Sequence, residues 1–299
     1  MTTLDTVQAA LATSLLHSLW QILLLALLAA SVLALLQRCS AALRHGVAMA
    51  FLVLMAAAPV ATLVWVMGQP TGTGAVVADN PAWSALAAPP ALQVALTHPV
   101  AAPAWLPWLW CAGVVLMAVR LLGSWRLVHT LDRQAYSPLP AHWLLRTDRL
   151  RRQLGIRREV AVRLLQQLEL PCTARAWRPV VWLPLSILTR LDPDQIEALI
   201  AHELAHIRRL DWIWNGLQCA IEALLFYHPG VWWLSRRIRQ ERENACDDLA
   251  VSACGDAIVR SRSAVMARTP PDGRRRAECC SPRHRRAGAR QAWPRVYRI

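Results

Sequence analysis

Three long apolar runs in the first half of the chain constrain its fold more than any other sequence feature. The first, within Thr6–Gln37, has no Asp, Glu or Arg, and the second covers Gly46–Gly68. The third covers Trp105–Trp125 and carries Arg120 near one end. Each run reaches the roughly 20 residues that a helix needs to cross a bilayer. The sequence therefore predicts three membrane spans, over about 14–36, 46–68 and 104–125.

Composition and charge placement support this interpretation and predict an orientation. Hydrophobic residues make up 55% of the 299 residues and charged residues 17%, which excludes a disordered chain and argues against an ordinary soluble enzyme. Arg38 and Arg44 follow the first run, the stretch 69–103 has no arginine, and eight arginines lie within 126–158. By the positive-inside rule, we expect the N-terminus outside, an extracytoplasmic linker over 69–103, and a cytoplasmic segment after residue 125.

The cytoplasmic segment contains a helix with a metal-binding pattern. Two short strands are predicted before it, over residues 160–165 and over the sequence RPVVWLP at 178–184. Asp192 and Gln195 then form a capping-box pattern that predicts a helix start. On this helix lies HELAH, in which His202 and His206 are four residues apart and project from one face. Glu203 is placed to take a proton from metal-bound water, although two surface histidines on an amphipathic helix are the alternative.

We expect a third metal ligand downstream, because catalytic zinc usually takes three protein ligands. In ERENACDD at 241–248, Glu243 and Asp247 are four residues apart on a predicted helix over 231–253. Glu243 would complete a His-His-Glu site, and Asp247 would orient a histidine. On spacing alone a charged helix face is the default explanation, and only the HELAH motif upstream favours the ligand interpretation over it. Glu241 points elsewhere on this helix, and we expect it to be solvated or paired with arginine.

The apolar stretch between these motifs is predicted to fold back rather than to form a fourth span. A single crossing of 212–234 would separate Glu243 from His202 by the membrane, and Glu222 lies in its middle. We expect a helix over 212–227, a turn at His228-Pro229-Gly230 and a return helix, with the tryptophans near the headgroups. His228 is expected to be a turn residue rather than a ligand.

Taken together, these motifs resemble the BlaR/MecR-type membrane zinc metallopeptidases, a family of regulatory sensor-transducers. The resemblance covers about residues 10–258 and is carried by RPVVWLP, HELAHIRRLDWIWN, YHPGVWW and ERENACDD. It implies a mainly α, multi-pass membrane protein with a cytoplasmic gluzincin-like (HExxH) metallopeptidase domain containing a small β-sheet. It also implies zinc ligands His202, His206 and Glu243, the general base Glu203 and the supporting carboxylate Asp247. Asp211 and Asn215 match recurrent positions with a structural role, and RPVVWLP would be an edge strand that pairs with substrate.

The domain organisation predicted on this basis has three parts. Residues 1–125 form the membrane region, 126–258 the metallopeptidase domain, and 259–299 a tail. The last forty residues hold twelve arginines against two acidic residues and show no apolar periodicity. Such a tail can bind nucleic acid or anionic lipid. We favour a disordered or non-native end, as after truncation or a frameshift, with no sensor domain and no nucleic-acid partner.

Three functions remain open from the sequence. The first is a membrane-bound zinc endopeptidase that cleaves a cytoplasmic protein, for example a transcriptional repressor, in signal transduction. The second is an HtpX-like quality-control protease with the same ligands and a broader substrate range. The third is a catalytically inactive remnant that acts as a scaffold. In each case the lipid bilayer is an expected partner.

Overall fold

The computed structural model describes residues 3–68, 103–132, 135–166, 168, 171–174 and 179–254, and the chain in these ranges is mainly helical. The predicted tail, and the predicted linker except for its last residue, lie outside the described residues. The helices, in chain order, are α1 Thr3–Leu35, α2 Ala41–Gly68, α3 Leu106–Asp132, α4 Ala141–Gln153, α5 Ile187–Arg190, α6 Pro193–Arg209, α7 Asp211–Leu224 and α8 Pro229–Cys254.

Within the described residues, three helical segments are long and apolar enough to cross a membrane. They cover Leu4–Arg38, Ala41–Gly68 and Leu106–Gly123, which confirms the three predicted spans. Helix α1 begins well before residue 14, because no helix-breaking residue interrupts the chain after Thr3. Pro59 lies inside α2. The protein is thus a multi-pass membrane protein with a small sheet attached to its helices.

Four short strands of the described chain form one mixed sheet in the order β1-β2-β4-β3. They are β1 Ser137–Pro138, β2 Ala161–Leu165, β3 Cys172–Ala174 and β4 Val180–Pro184. Strand β2 pairs with β4 in parallel, and β1 and β3 flank them in antiparallel orientation. Strands β2 and β4 confirm the two strands that the sequence predicts.

The position of β4 in the sheet corrects one expectation. All five of its residues are buried, and it is paired on both sides, so RPVVWLP is an inner strand and not a substrate-binding edge. The edge next to it is β3, where Thr173 pairs with Val181. Because β3 has only three residues, its sequence gave no strand signal of its own.

The chain divides into two compact units. One contains the sheet, helices α4 to α6, residues 211–219 and residues 239–254. Its core lies between the sheet and the helices α4 and α6 and is formed by aliphatic and aromatic side chains, among them Trp143, Leu150, Leu164, Val181, Leu183, Ile196, Ile200 and Leu204. This packing fixes one face of α6 and leaves the histidines of HELAH on another.

The other unit contains α1, α2, residues 103–120 and residues 220–238. Small and aliphatic side chains of α1 and α2 pack against this last segment, including Ile22, Ala26, Ala29, Leu52, Ile221, Leu225 and Leu234. Gly230 lies so close that a Cβ on it would be 3.0 Å from the Cβ of Ala26. The predicted helix, turn and return helix are confirmed, and Glu222 is buried.

Polar contacts attach the turn before α8 to α1 within this unit. The hydroxyl groups of Ser18 and Tyr227 are 2.6 Å apart. The Nδ1 atom of His228 accepts a hydrogen bond from the Gly230 amide at 3.0 Å, so Nε2 carries the proton and donates to the Leu19 carbonyl, also at 3.0 Å. Both ring nitrogens are used, and His228 is therefore a turn residue, as expected.

Candidate metal centre

Helix α6 positions two histidines and a glutamate through its cap and its buried face. Asp192 and Gln195 form the predicted capping box, and Pro193 occupies the first turn. Ile196, Ile200 and Leu204 recur at helical spacing on the buried face. His202 and His206 lie on the other side, each with about a fifth of its side chain exposed (21% and 19%).

The structure brings His202 and His206 together with Glu243 of α8. The Glu243 Oε2 atom lies 3.5 Å from His202 Nε2 and 3.8 Å from His206 Nε2. One donor atom from each residue falls within 4.8 Å of the other two, so the three could hold a metal ion. With metal–ligand bonds of about 2.0–2.1 Å, a tetrahedral site has donor–donor distances of about 3.3 Å. The observed separations therefore fit a tetrahedral ion such as zinc with little movement.

Each histidine is held through its other ring nitrogen by a carboxylate. Asp247 Oδ1 lies 3.0 Å from His202 Nδ1, and Asp211 Oδ2 lies 2.7 Å from His206 Nδ1. A carboxylate that accepts the Nδ1 proton leaves the Nε2 lone pair for a metal and fixes the ring orientation. Both Nε2 atoms point to Glu243. The arrangement is the one that metal-binding histidines usually have.

The electrostatics of this cluster favour a cation. Burial acts to lower the pKa of His202, but hydrogen bonds to Asp247 and Glu243 outweigh it and raise the pKa to about 10. Burial acts to raise the pKa of Glu243, but the hydrogen bond to His202 and the charge of His206 hold it below its usual value. These shifts reflect carboxylates that outnumber the imidazoles. A divalent ion would neutralise the same excess charge.

Glu203 is buried beside the first histidine and is held by strand β3. Only 6% of its surface is exposed. The Thr173 hydroxyl donates a hydrogen bond of 2.7 Å to Glu203 Oε2. The structure thus fixes the direction of the carboxylate with a residue that the sequence did not single out.

A second group of potential donors, Asp211, His206 and Cys246, is a hydrogen-bonded support. The Cys246 sulfur lies 3.3 Å from both Asp211 Oδ2 and His206 Nδ1. Burial, together with the charge of Asp211, raises the pKa of the Cys246 thiol far above its usual value. Cys246 is therefore a protonated thiol that donates a hydrogen bond to Asp211.

Asp211 reaches His206 because the chain changes direction between them. Residues five apart on a straight helix are not neighbours. Leu210 adopts the left-handed conformation, with φ 57° and ψ 38°, and ends α6. Asp211 begins α7, and Asn215 of the same helix accepts a 3.1 Å hydrogen bond from Arg242. Asn215 is structural, as expected, whereas Asp211 also orients a candidate ligand.

One of the two alternatives expected for Glu241, a solvated side chain, was wrong. Glu241 is only 1% exposed and is therefore buried. Glu243, two residues later, has 52% of its side chain exposed on the side that faces the histidines. Helix periodicity correctly placed Glu241 and Glu243 on different faces of α8, but it could not show which of these faces is covered.

Comparisons with known proteins point to one family. A sequence model of the family described as BlaR1 peptidase M56 matches residues 5–261. The chain is also 32% identical over 77 residues to the regulatory protein BlaR1 of Bacillus licheniformis. That match covers 26% of this chain and only 13% of the relative. The family match extends over most of the chain, from the first span through the candidate metal centre.

Proposed function

This chain belongs to the BlaR1 peptidase M56 family, and from that premise we propose that it is a membrane-bound zinc endopeptidase. His202, His206 and Glu243 would hold the zinc ion, Glu203 would act as general base, and Asp247 would support His202. The substrate would be a cytoplasmic protein, cleaved in signal transduction.

The convergence of both Nε2 atoms on Glu243 is the observation that carries this proposal. A charged face on α8, which the sequence left open, does not explain why both histidines also have carboxylate partners at 3.0 Å and 2.7 Å. Two surface histidines would not need such partners. Histidines that bind a metal need them, because each ring must present one lone pair in a fixed direction.

The residues of this chain have distinct roles in the proposed hydrolysis. Zinc, when bound, supplies Lewis-acid chemistry that polarises a scissile carbonyl and makes water more acidic. Glu203, one residue from His202, takes up the proton of the attacking water and returns it to the leaving amine. Thr173 holds the Glu203 carboxylate in one direction through its hydroxyl group. Asp211 and Asp247 keep the two imidazoles in the tautomer that binds metal.

The cytoplasmic location and the substrate class rest on two further observations. Arginines are concentrated after the third span and absent from 69–103, which favours a cytoplasmic peptidase unit. The Bacillus relative is named as a regulatory protein. A transcriptional repressor is therefore our first candidate substrate.

Zinc content is the first test. We expect detergent-purified protein to contain nearly one zinc per chain, and Glu243→Ala to lose most of it. Asp248→Ala is the matched control, because Asp248 is an exposed carboxylate on the same helix and has no contact with the histidines among the described interactions. Absence of zinc from the wild-type protein, or equal zinc in all three proteins, would refute the assigned site.

Peptide cleavage is the second test and separates the candidate functions. Glu203→Gln should keep its zinc and lose the cleavage of unfolded casein and of co-expressed repressor candidates. A single defined product in cells supports a signalling peptidase, whereas degradation of many membrane proteins supports the HtpX-like alternative. Wild-type protein that holds zinc but cleaves nothing would support the inactive scaffold.

A further inference from the structure

Helix α7 exposes large apolar side chains and buries polar ones. Trp212, Ile213, Trp214, Leu217 and Leu224 are 38–44% exposed. Three of its buried side chains are polar or charged, namely Asp211, Gln218 and Glu222, each at most 6% exposed, and they lie beside the buried apolar side chains of Cys219, Ile221 and Ala223. Water-facing helices bury their apolar stripe and expose their charges. The pattern of α7 is expected where the surroundings are lipid, because polar groups are then placed inside the protein.

The exposed face of α7 is continuous and uncharged. It is formed by seven residues, namely Trp212, Ile213, Trp214, Gly216, Leu217, Ala220 and Leu224. At 100° per residue these positions cover about half of the helix circumference. We call this surface the α7 face. A contiguous apolar surface of this kind marks a contact with a partner or a membrane.

We propose that the α7 face docks into the interface of the lipid bilayer. The helix has 14 residues, a length of about 21 Å, so it is too short to cross a hydrocarbon core of about 30 Å. It can lie in the interface instead, where tryptophan is favoured because its ring is apolar and its N–H can reach a headgroup. Three other helices of the same chain are long and apolar enough to cross a membrane, so the protein is expected to reside at a bilayer.

Charge next to the α7 face fits the same partner. Arg208 is exposed in the last turn of α6, three residues before α7 begins. A cationic side chain beside an apolar helix face pairs with anionic headgroups and strengthens interfacial binding. A second copy of this chain would not need a cation at this position. We therefore assign the face to a bilayer that contains anionic lipid.

Membrane docking would act at the edge of the candidate metal centre. Asp211, which orients His206, is the first residue of α7, and Trp212 follows it directly. The end of α6 and the start of α7 would then lie at the headgroups. Docking of this face does not depend on the proposed peptidase activity, and it can be tested on the full chain without a substrate.

Photo-crosslinking tests the docking directly. The full chain, with benzoylphenylalanine in place of Ile213 or of Leu217, is reconstituted into phosphatidylcholine vesicles with and without phosphatidylglycerol. We expect lipid adducts at both positions, with a higher yield when phosphatidylglycerol is present. The control position is Leu145 of α4, which is 74% exposed and should give no lipid adduct. Crosslinks to a second copy or to another segment of the chain, or equal lipid labelling at Leu145, would overturn the proposal.

A second measurement avoids the unnatural residue. Brominated phospholipids quench tryptophan fluorescence at short range, and the chain contains 15 tryptophans. The double variant Trp212→Phe/Trp214→Phe should lose part of the quenchable signal, whereas Trp143→Phe, which removes a buried tryptophan, should keep all of it. An unchanged quenchable fraction in the double variant would show that the α7 face does not contact lipid.

Discussion

At the scale of single residues, the hydroxyl group of Thr173 is the contact that fixes the proposed general base. It donates to Glu203 Oε2 at 2.7 Å from the edge strand β3. A buried carboxylate with one defined donor has fewer accessible orientations than a free one. The Thr173 hydroxyl should therefore determine the orientation of the Glu203 carboxylate and have little effect on the fold.

Replacement of Thr173 by valine should slow the proposed hydrolysis without removing the metal. Valine keeps the shape of threonine and deletes only the hydroxyl group, so kcat should fall by about 10- to 100-fold with little change in KM. Thr173→Ser keeps the donor and should remain close to wild type. Steady-state kinetics and zinc content on the three proteins measure this, and equal loss in both variants would assign the effect to packing.

The two carboxylates behind the histidines should control metal affinity. Asp211→Asn and Asp247→Asn each remove the negative charge that accepts an Nδ1 proton, and we expect zinc affinity to fall by about 10- to 100-fold in each. Competition with a fluorescent zinc chelator gives the Kd values. Asp248→Asn removes a charge from the same helix surface and serves as control. If that variant weakened zinc binding equally, net charge and not orientation would be responsible.

The sequence predicted the residues of two local motifs, Glu243 among them, but it missed the roles of Thr173 and Asp211, which depend on the fold. His202, Glu203 and His206 follow from one motif on one helix, and Asp247 follows Glu243 by one helical turn. Thr173 lies 30 residues from Glu203 and reaches it because β3 pairs with β4. Asp211 follows His206 by five residues, a spacing that brings no contact unless the helix ends between them.

At the scale of secondary structure elements, the junction between α6 and α7 rests on one strained residue. Leu210 has a positive φ of 57°, which costs a residue with a Cβ atom about 1–2 kcal/mol. Glycine or asparagine usually occupies this position at a helix end. The leucine here keeps the bend that places Asp211 against His206.

Substitution of Leu210 by asparagine should stabilise the protein. Asparagine tolerates the left-handed conformation, and Leu210 has 38% of its surface exposed, so little packing is lost. We expect a gain of up to about 1 kcal/mol in the free energy of unfolding. Thermal unfolding of the metal-free protein measures it. A lower Tm would mean that the contacts of the leucine side chain outweigh the relief of strain.

Elements were predictable where one short segment determines them. The capping box gave the start of α6, and the valine-rich segment gave β4. The position of β4 inside the sheet was not predictable, because it depends on β3, a strand of three residues that only its partner defines. Full burial of β4 is consistent with this inner position.

At the scale of the whole molecule, the proposed metal connects segments that are distant in sequence. Two of its ligands lie on α6 and the third on α8, so a bound ion acts as a cross-link between the two helices. A ligand that binds only the folded state stabilises it in proportion to the logarithm of its concentration over Kd. The stability of the peptidase unit should therefore depend on zinc.

Chelation should lower the melting temperature of the wild-type protein. At a zinc concentration of 100 times Kd, the stabilisation amounts to about 2.7 kcal/mol, all of which is lost in excess chelator. Glu243→Ala should melt at nearly the same temperature with and without chelator. Calorimetry of both proteins in detergent measures the difference, and a chelator effect of equal size in both would place the stabilising ion elsewhere.

The contacts between α1 and the turn before α8 can form only late in biosynthesis. Ser18 meets Tyr227, and Leu19 meets His228, in both cases across 209 residues. At a synthesis rate of about 5–20 residues per second, the first span waits roughly 10–40 seconds for these partners to emerge from the ribosome. During that interval the Ser18 hydroxyl can keep its 2.6 Å hydrogen bond to the Leu15 carbonyl within α1. The N-terminal span is thus made first, and its contacts with Tyr227 and His228 form last.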